Sequence, residues 1–312
     1  MFLSLKQRGA RLVTLALTVF SSLPAHSQTP KIFGPGVIST SLDELNTSFC
    51  SDGNTVYFSI SPTDGHTGMI AHSILVDRNW SKPEIELFNS RYNNYDPCIS
   101  RDNKKLFFSS DRPIDGHPNG DFNIWYVEKQ GGVWGLPQPL SDQINDGFNQ
   151  FYPTLASNGN LYFNSNKDGS YDLYVSRYVN GKYMPSEKLK GKLNTMTTRE
   201  GDAIISSDER FMVVTIYGRP DSFGSGDLYI SYYLNDEWSE PVNLGDRVNS
   251  SSKEYAPAFS ADQTKLYFSS YRTTNKSSAF ENDNRISAAL NGLGNIYEID
   301  FEHLKVRSQE HP

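Results

Sequence analysis

Apolar and aromatic residues along this chain fall into short runs, and polar turn residues separate the runs. Residues 254–272 read EYAPAFSADQTKLYFSSYR, and residues 94–112 read NYDPCISRDNKKLFFSSDR. Ten of the nineteen positions are identical, without a gap. With Pro257 as marker, the equivalent positions are Thr47, Pro97, Pro153 and Ala203, at steps of 50, 56, 50 and 54 residues. Each unit carries a first run at the marker (PCISRDN, PTLASNG, PAFSADQ) and a second such as KLFFSS or NLYFNS. A third follows (NIWYV, DLYVS, DLYIS), then a fourth with an aromatic residue and a proline (WSKPEIEL, WGLPQPL, YMPSEKL, WSEPVNL). Aromatic and β-branched residues between Asp, Asn and Gly turns predict antiparallel hairpins. No long stretch has helical periodicity after residue 27.

Four strands at a 50-residue period is the signature of a propeller blade. The expectation is an all-β, five-bladed β-propeller of four-stranded antiparallel blades in one domain, residues 28–301. Its units fall at about 41–92, 93–149, 150–199, 200–253 and 254–301. The fifth unit has no fourth run, and 302–312 is read as a C-terminal tail. IFGPGVIST, about 32–40, precedes the first unit and is predicted to complete the last blade. Such closure removes the exposed edges of the sheet. The length leaves no room for a sixth blade.

The first 27 residues read as a secretory signal peptide. Lys6, Arg8 and Arg11 precede an apolar run from Leu12 to Leu23, and small residues lead to cleavage near Ser27. A periplasmic or secreted location follows, with no membrane span. Without the leader the chain carries 26 basic and 36 acidic residues, which disfavours nucleic acid and anionic membranes as partners. The two cysteines, Cys50 and Cys98, do not make a disulfide scaffold, and export permits a bridge between them.

The pattern P-x-[FIL]-S-x-D-G-x-x-L-[YF]-F-S-S-x-R, followed by G-x-[DN]-[IL]-Y and W-S-x-P-x-x-L, resembles the TolB-type propeller repeat, a WD40-like "PD" unit. It covers essentially the whole chain after the leader. Thr47 and Ala203 depart from it at the proline, and Met69 stands where other units have Asp or Asn. The resemblance implies an exported protein that binds partners or glycans, with a minority of enzymes. Fold alone does not give function.

Residues repeated across the units are read as scaffold. Asp52, Asp102, Asp208 and Asp262 suit turns in which the side chain bonds the backbone two residues on. Arg112, Lys167, Arg219 and Arg272 are expected to brace each blade against Asn123, Asp172, Asp227 and Asn295, and some of them to face a ligand. Trp80, Trp134 and Trp238 are assigned to packing between blades.

Function is sought where the units differ. Three residues before each marker stand Glu44, Asn94, Gln150, Glu200 and Glu254, beside Asp43, Asn93, Asn149, Arg199 and Lys253. In a propeller these positions ring the mouth of the central channel. They either bind a polyhydroxylated or cationic ligand there or only satisfy backbone groups. The ligand-binding set is Asp43, Glu44, Asn94, Gln150, Arg199, Glu200, Lys253, Glu254 and Arg272. The favoured reading is a binding protein for a protein, peptidoglycan or glycan partner. The alternative is a glycan-active hydrolase or lyase with Glu44, Glu200 and Glu254 as carboxylates. No cofactor is required, although His66 and His117, on neighbouring loops, could hold a divalent metal. The loop from Tyr271 to Leu293 is the longest, and SAFENDNRISAAL within it could form a short helix over the channel. No nucleophile elbow, phosphate loop or zinc signature is present.

Overall fold

The computed structural model describes residues 29–62, 67–117, 120–273, 292–302 and 304. The expected leader, His66 and the helix expected within SAFENDNRISAAL lie outside these residues.

Five antiparallel sheets stand around a central channel. Their inner strands are Asp43–Phe49, Asn94–Ile99, Gln150–Leu155, Arg199–Ile205 and Glu254–Phe259. Each packs against the inner strands of its neighbours, the first against the fifth included, so the ring closes. The second and third strands follow outward, for example Lys105–Ser110 and Asn123–Gln130 in blade 2. Outer strands are short and split. In blade 1, Asn79–Trp80 extends the hairpin and Glu84–Ile85 pairs Ala71 and His72. Pro83 lies between them and has no N–H for the ladder, which confines such residues to an edge.

Blade 5 takes its outermost strand from the other end of the chain. Lys31 and Ile32 pair Glu298 and Tyr297. The strand is shorter than the sequence suggests and does not run to Thr40. Gly34 turns the chain at φ 54°, and a Cβ there would meet the Ile38 Cβ at 2.9 Å. The turn delivers Phe33 and Ile38 into the seam between blades 5 and 1. Phe33 meets Tyr267 at 4.9 Å, Trp80 at 5.4 Å and Phe49 at 5.9 Å.

The core consists of such seams. Trp238 of blade 4 packs with Ala156, Tyr162 and Leu173 of blade 3, and Trp134 of blade 2 meets Tyr57 of blade 1 edge-on at 6.0 Å. The repeated aspartates are turn residues. Asp52, Asp102, Asp208 and Asp262 accept the N–H of Asn54, Lys104, Arg210 and Thr264, each two residues on. Cys50 and Cys98 are buried free thiols.

Candidate functional site

The ring three residues before the markers is present but turned into the protein. Glu44, Asn94, Gln150, Glu200 and Glu254 are each at most 1% exposed. Each of the five bonds the loop that leads into its own inner strand. Glu44 accepts from the Thr40 N–H at 2.9 Å and from the Thr40 hydroxyl. Glu254 accepts from the N–H and hydroxyl of Ser250, both at 2.7 Å, and from Ser270 at 2.6 Å. Glu200 accepts from Thr198 at 2.6 Å, Gln150 donates to Asp146 at 2.7 Å, and Asn94 donates to the Asn89 carbonyl at 2.9 Å. Burial raises the Glu200 carboxyl and pushes that of Glu44 up to about 7. Of the five, only Glu200 lines the mouth cavity described below.

The braces are also redirected. Arg112 donates to Asn94 at 2.5 Å and to the carbonyls of Phe88 and Asn89, not to Asn123. Arg272 pairs Glu254 at 3.1 Å, donates to the Val248 carbonyl and stacks over Tyr297 at 4.9 Å. It is therefore a strut of blade 5 and does not line the mouth. Lys167 reaches Ser186 and Asp146, and Arg219 reaches Asp221 and Glu240.

A bulge in every inner strand decides which residues do face the channel. The register shifts just before each marker. Asn46, Asp96, Tyr152 and Ala256 there adopt φ between 52° and 59°. A bulge re-aims one side chain and frees its N–H from the ladder. In two of these blades the preceding blade supplies the missing acceptor. The Tyr152 N–H bonds Asp96 at 3.0 Å, and the Ala256 N–H bonds Asp202 at 3.2 Å. Tyr152 then reaches across to the Pro257 carbonyl at 2.7 Å, filling the centre of the ring.

Above this floor lies a cavity of about 270 Å³. Asn46, Asp96, Asn164 and Asp202 form its polar base. Asp96 accepts from Ser109 at 2.7 Å and from Asn46. Burial, and then the charge of Asp202, hold the Asp96 carboxyl well above the ordinary range, and burial raises Asp202 as well. The Oδ1 atoms of Asn46 and Asn164 are buried without a partner among the described residues, although both residues are only 3% exposed. Buried polar atoms are normally paired, so such exceptions inside a cavity call for a ligand or water.

The walls are aromatic and cationic. Tyr95, Phe151 and Tyr171 line one side, and Phe122, outside the lining, joins them in a chain of rings Tyr95–Phe122–Phe151–Tyr171 at centroid separations of 6.1, 4.8 and 6.0 Å. Opposite them, the Arg199 guanidinium sits 4.3 Å over Tyr217. The Lys253 ammonium lies 4.1 Å from the Tyr255 centroid and 5.6 Å from that of Tyr217. Burial lowers the Lys253 amine, and Asp202 partly offsets this. Asp43 binds the Gly294 N–H at 2.7 Å, and burial raises its carboxyl. His117 lies 3.6 Å from Asp142. Among the described residues, no three His, Cys, Asp or Glu side chains gather as a metal site would.

A larger cavity of about 700 Å³ opens among the turns at the opposite end, between Ile99, Phe107, Leu155 and Tyr183. Its rim is made of scaffold turns such as Asp102 and Asp262, whose bonds are internal. Among the described residues no unpartnered buried polar atom lines it, and it shares no lining residue with the mouth. Volume therefore favours one end and chemistry the other, and the chemistry is the more specific indicator.

Sequence reasoning passed over Asn46, Asp96, Asp202, Asn164 and the aromatic chain. A signal existed: the residue just before the marker reads Asn, Asp, Tyr, Asp and Ala across the units, inside an otherwise repeated strand.

No family model matches the chain, and no curated protein matches it. Solved propellers resemble it at low identity. A TolB-like protein of Agrobacterium tumefaciens aligns over 83% of this chain and 90% of its own, with 13% identity and a TM-score of 0.49. An arabinanase of Bacillus subtilis aligns over 83% and 96%, also with 13% identity and a TM-score of 0.49. A gluconolactonase of Xanthomonas campestris aligns over 88% and 94%, with 8% identity and a TM-score of 0.45. At this level of similarity they carry no argument about activity.

Proposed function

We propose that this protein is an exported propeller that binds a saccharide in the channel mouth. The observation that carries this reading is the set of rings Tyr95, Phe151 and Tyr171 lining a cavity whose base carries unpartnered amide oxygens. Aromatic faces take the C–H faces of a sugar ring, while buried acceptors take its hydroxyl groups. At about 270 Å³ the cavity is at the small end of ligand pockets, suited to a terminal or single sugar unit rather than a deeply threaded chain. No helix among the described residues is long and apolar enough to cross a membrane.

The test is a glycan array followed by calorimetry on the hits. Phe151→Ala and Tyr171→Ala are expected to weaken binding by about tenfold or more each, since one stacking contact contributes roughly 0.5–1.5 kcal/mol beyond buried area. An array without hits, or hits unaffected by both substitutions, would refute it.

A second reading rests on the Asp96–Asp202 pair. Two buried carboxylates, both raised by burial and one of them, Asp96, raised further by the charge of Asp202, resemble an acid–base pair more closely than do Glu44, Glu200 and Glu254, which bond their own loops. Both aspartates also hold the next blade's backbone, which explains their burial without catalysis. Turnover of a bound glycan that disappears in Asp202→Asn, with the fold retained, would establish the enzyme. Unchanged turnover would remove these residues from it.

A further inference from the structure

The position four residues before each marker carries an argument of its own, and it deepens the saccharide reading on which it rests. In three blades this position holds the ring together. The Oδ1 of Asp43, Asn93 and Asn149 accepts the N–H of Gly294, Gly68 and Phe122, at 2.7, 2.9 and 2.8 Å. Each bond ties one blade to the residue just before the third strand of the preceding blade. In blades 4 and 5 the position is Arg199 and Lys253. A cation cannot accept an N–H, so these two adjacent blades give up a bond that the other three keep.

What the two cations do instead is face the mouth. Both line the cavity, and both lie within 5.6 Å of the Tyr217 ring centroid. Among the described residues neither makes an ion pair with a carboxylate, whereas Lys167, Arg219 and Arg272 are each paired with one. Arg199 is exposed, and its guanidinium stacks on a ring. A stacked guanidinium keeps its in-plane N–H groups free for a bidentate acceptor. Two like charges beside one ring repel each other, and at Lys253 the charge of Asp202 at the floor outweighs that of Arg199, with a smaller favourable effect from Asp43. On a chain of formal net charge −7, two cations without carboxylate partners at one opening form a local exception.

We infer that the mouth selects an acidic saccharide, one bearing a carboxylate such as a uronic acid, with Arg199 and Lys253 gripping the carboxylate while the sugar ring lies on Phe151 and Tyr171. Aromatic rings on one wall and cations on the other match the two faces of such a residue.

The experiment compares digalacturonate with the neutral galactobiose on the full folded chain, by calorimetry at low salt and at about 0.5 M NaCl. Expected is at least tenfold tighter binding of digalacturonate, weakened several-fold by salt because exposed charge pairs are screened. Arg199→Gln should lose about tenfold for digalacturonate and so narrow the gap between digalacturonate and galactobiose. Lys253→Gln should act in the same direction. As Arg199 is exposed, its variant keeps the fold even if the more buried Lys253 variant does not. Equal or tighter binding of galactobiose, or an Arg199→Gln variant that binds digalacturonate normally, would overturn the acidic-sugar inference and leave saccharide binding standing. If neither disaccharide binds and an array of neutral and acidic glycans is also empty, both readings fall.

Discussion

Phe33 fastens the ring, so replacing it by alanine should loosen the whole propeller. The side chain is 5% exposed and belongs to a nine-residue buried cluster that also contains Val56 and Phe58 of blade 1 and Ala258, Tyr267 and Ile296 of blade 5. Removing a buried phenylalanine costs about 3–5 kcal/mol from lost transfer energy and the cavity left behind. Three ring contacts, to Tyr267, Trp80 and Phe49, place this site toward the upper half of that range. A loss of about 4 kcal/mol at a slope of roughly 3 kcal/mol per molar urea lowers the unfolding midpoint by about 1.3 M. The assay is urea unfolding followed by tryptophan fluorescence, since Trp80 lies against Phe33. Leu87→Ala is the control, because Leu87 is 96% exposed and should leave the midpoint unchanged. A Phe33→Ala loss below about 1 kcal/mol would refute the claim that the N-terminal segment closes the ring.

Two further predictions follow from buried groups. Burial raises the Glu44 carboxyl to about 7 from an ordinary 4.5, so the folded state binds its proton more tightly than the unfolded chain. Its contribution is therefore full below about pH 4.5 and is lost as pH rises through 7. Glu44→Gln should flatten the thermal-stability profile across that window relative to the parent protein, by on the order of 3 kcal/mol at most. Parallel profiles would disprove the assignment. Burial pushes the Cys98 thiol up to about 12 and raises that of Cys50, so neither should react with a thiol reagent at pH 8 until denaturant is added, when both should react.

The fold was legible because the repeat is a packing unit. A marker residue, a polar turn, an aromatic-rich second strand and an aromatic residue in the outer strand do the same job in most blades, so periodicity reports them directly. Closure was legible from a missing strand at one end and a spare one at the other, although only Lys31 and Ile32 pair and Gly34 then redirects the chain. The mouth was only partly legible. Arg199, Glu200 and Lys253 do line it, while Glu44, Asn94, Gln150 and Glu254 turn inward. Simple strand alternation fails there because a bulge inserts one residue between them and the marker, which hands the channel to Asn46, Asp96 and Tyr152. Bulges leave no mark in hydrophobic period, and here the turned residues are not glycines. The brace partners were missed for a related reason. Asn94 lies next to Arg112 across a hairpin but eighteen residues away in the chain, and a repeat alignment reveals equivalence between blades rather than contacts within one.

The most direct measurement is the crystal structure of the protein with a saccharide taken from the array. The account predicts a sugar ring against Phe151 and Tyr171, with hydroxyl groups on the Oδ1 atoms of Asn46 and Asn164. Density instead at the opposite end, between Ile99 and Tyr183, would contradict it and move the site to the larger cavity.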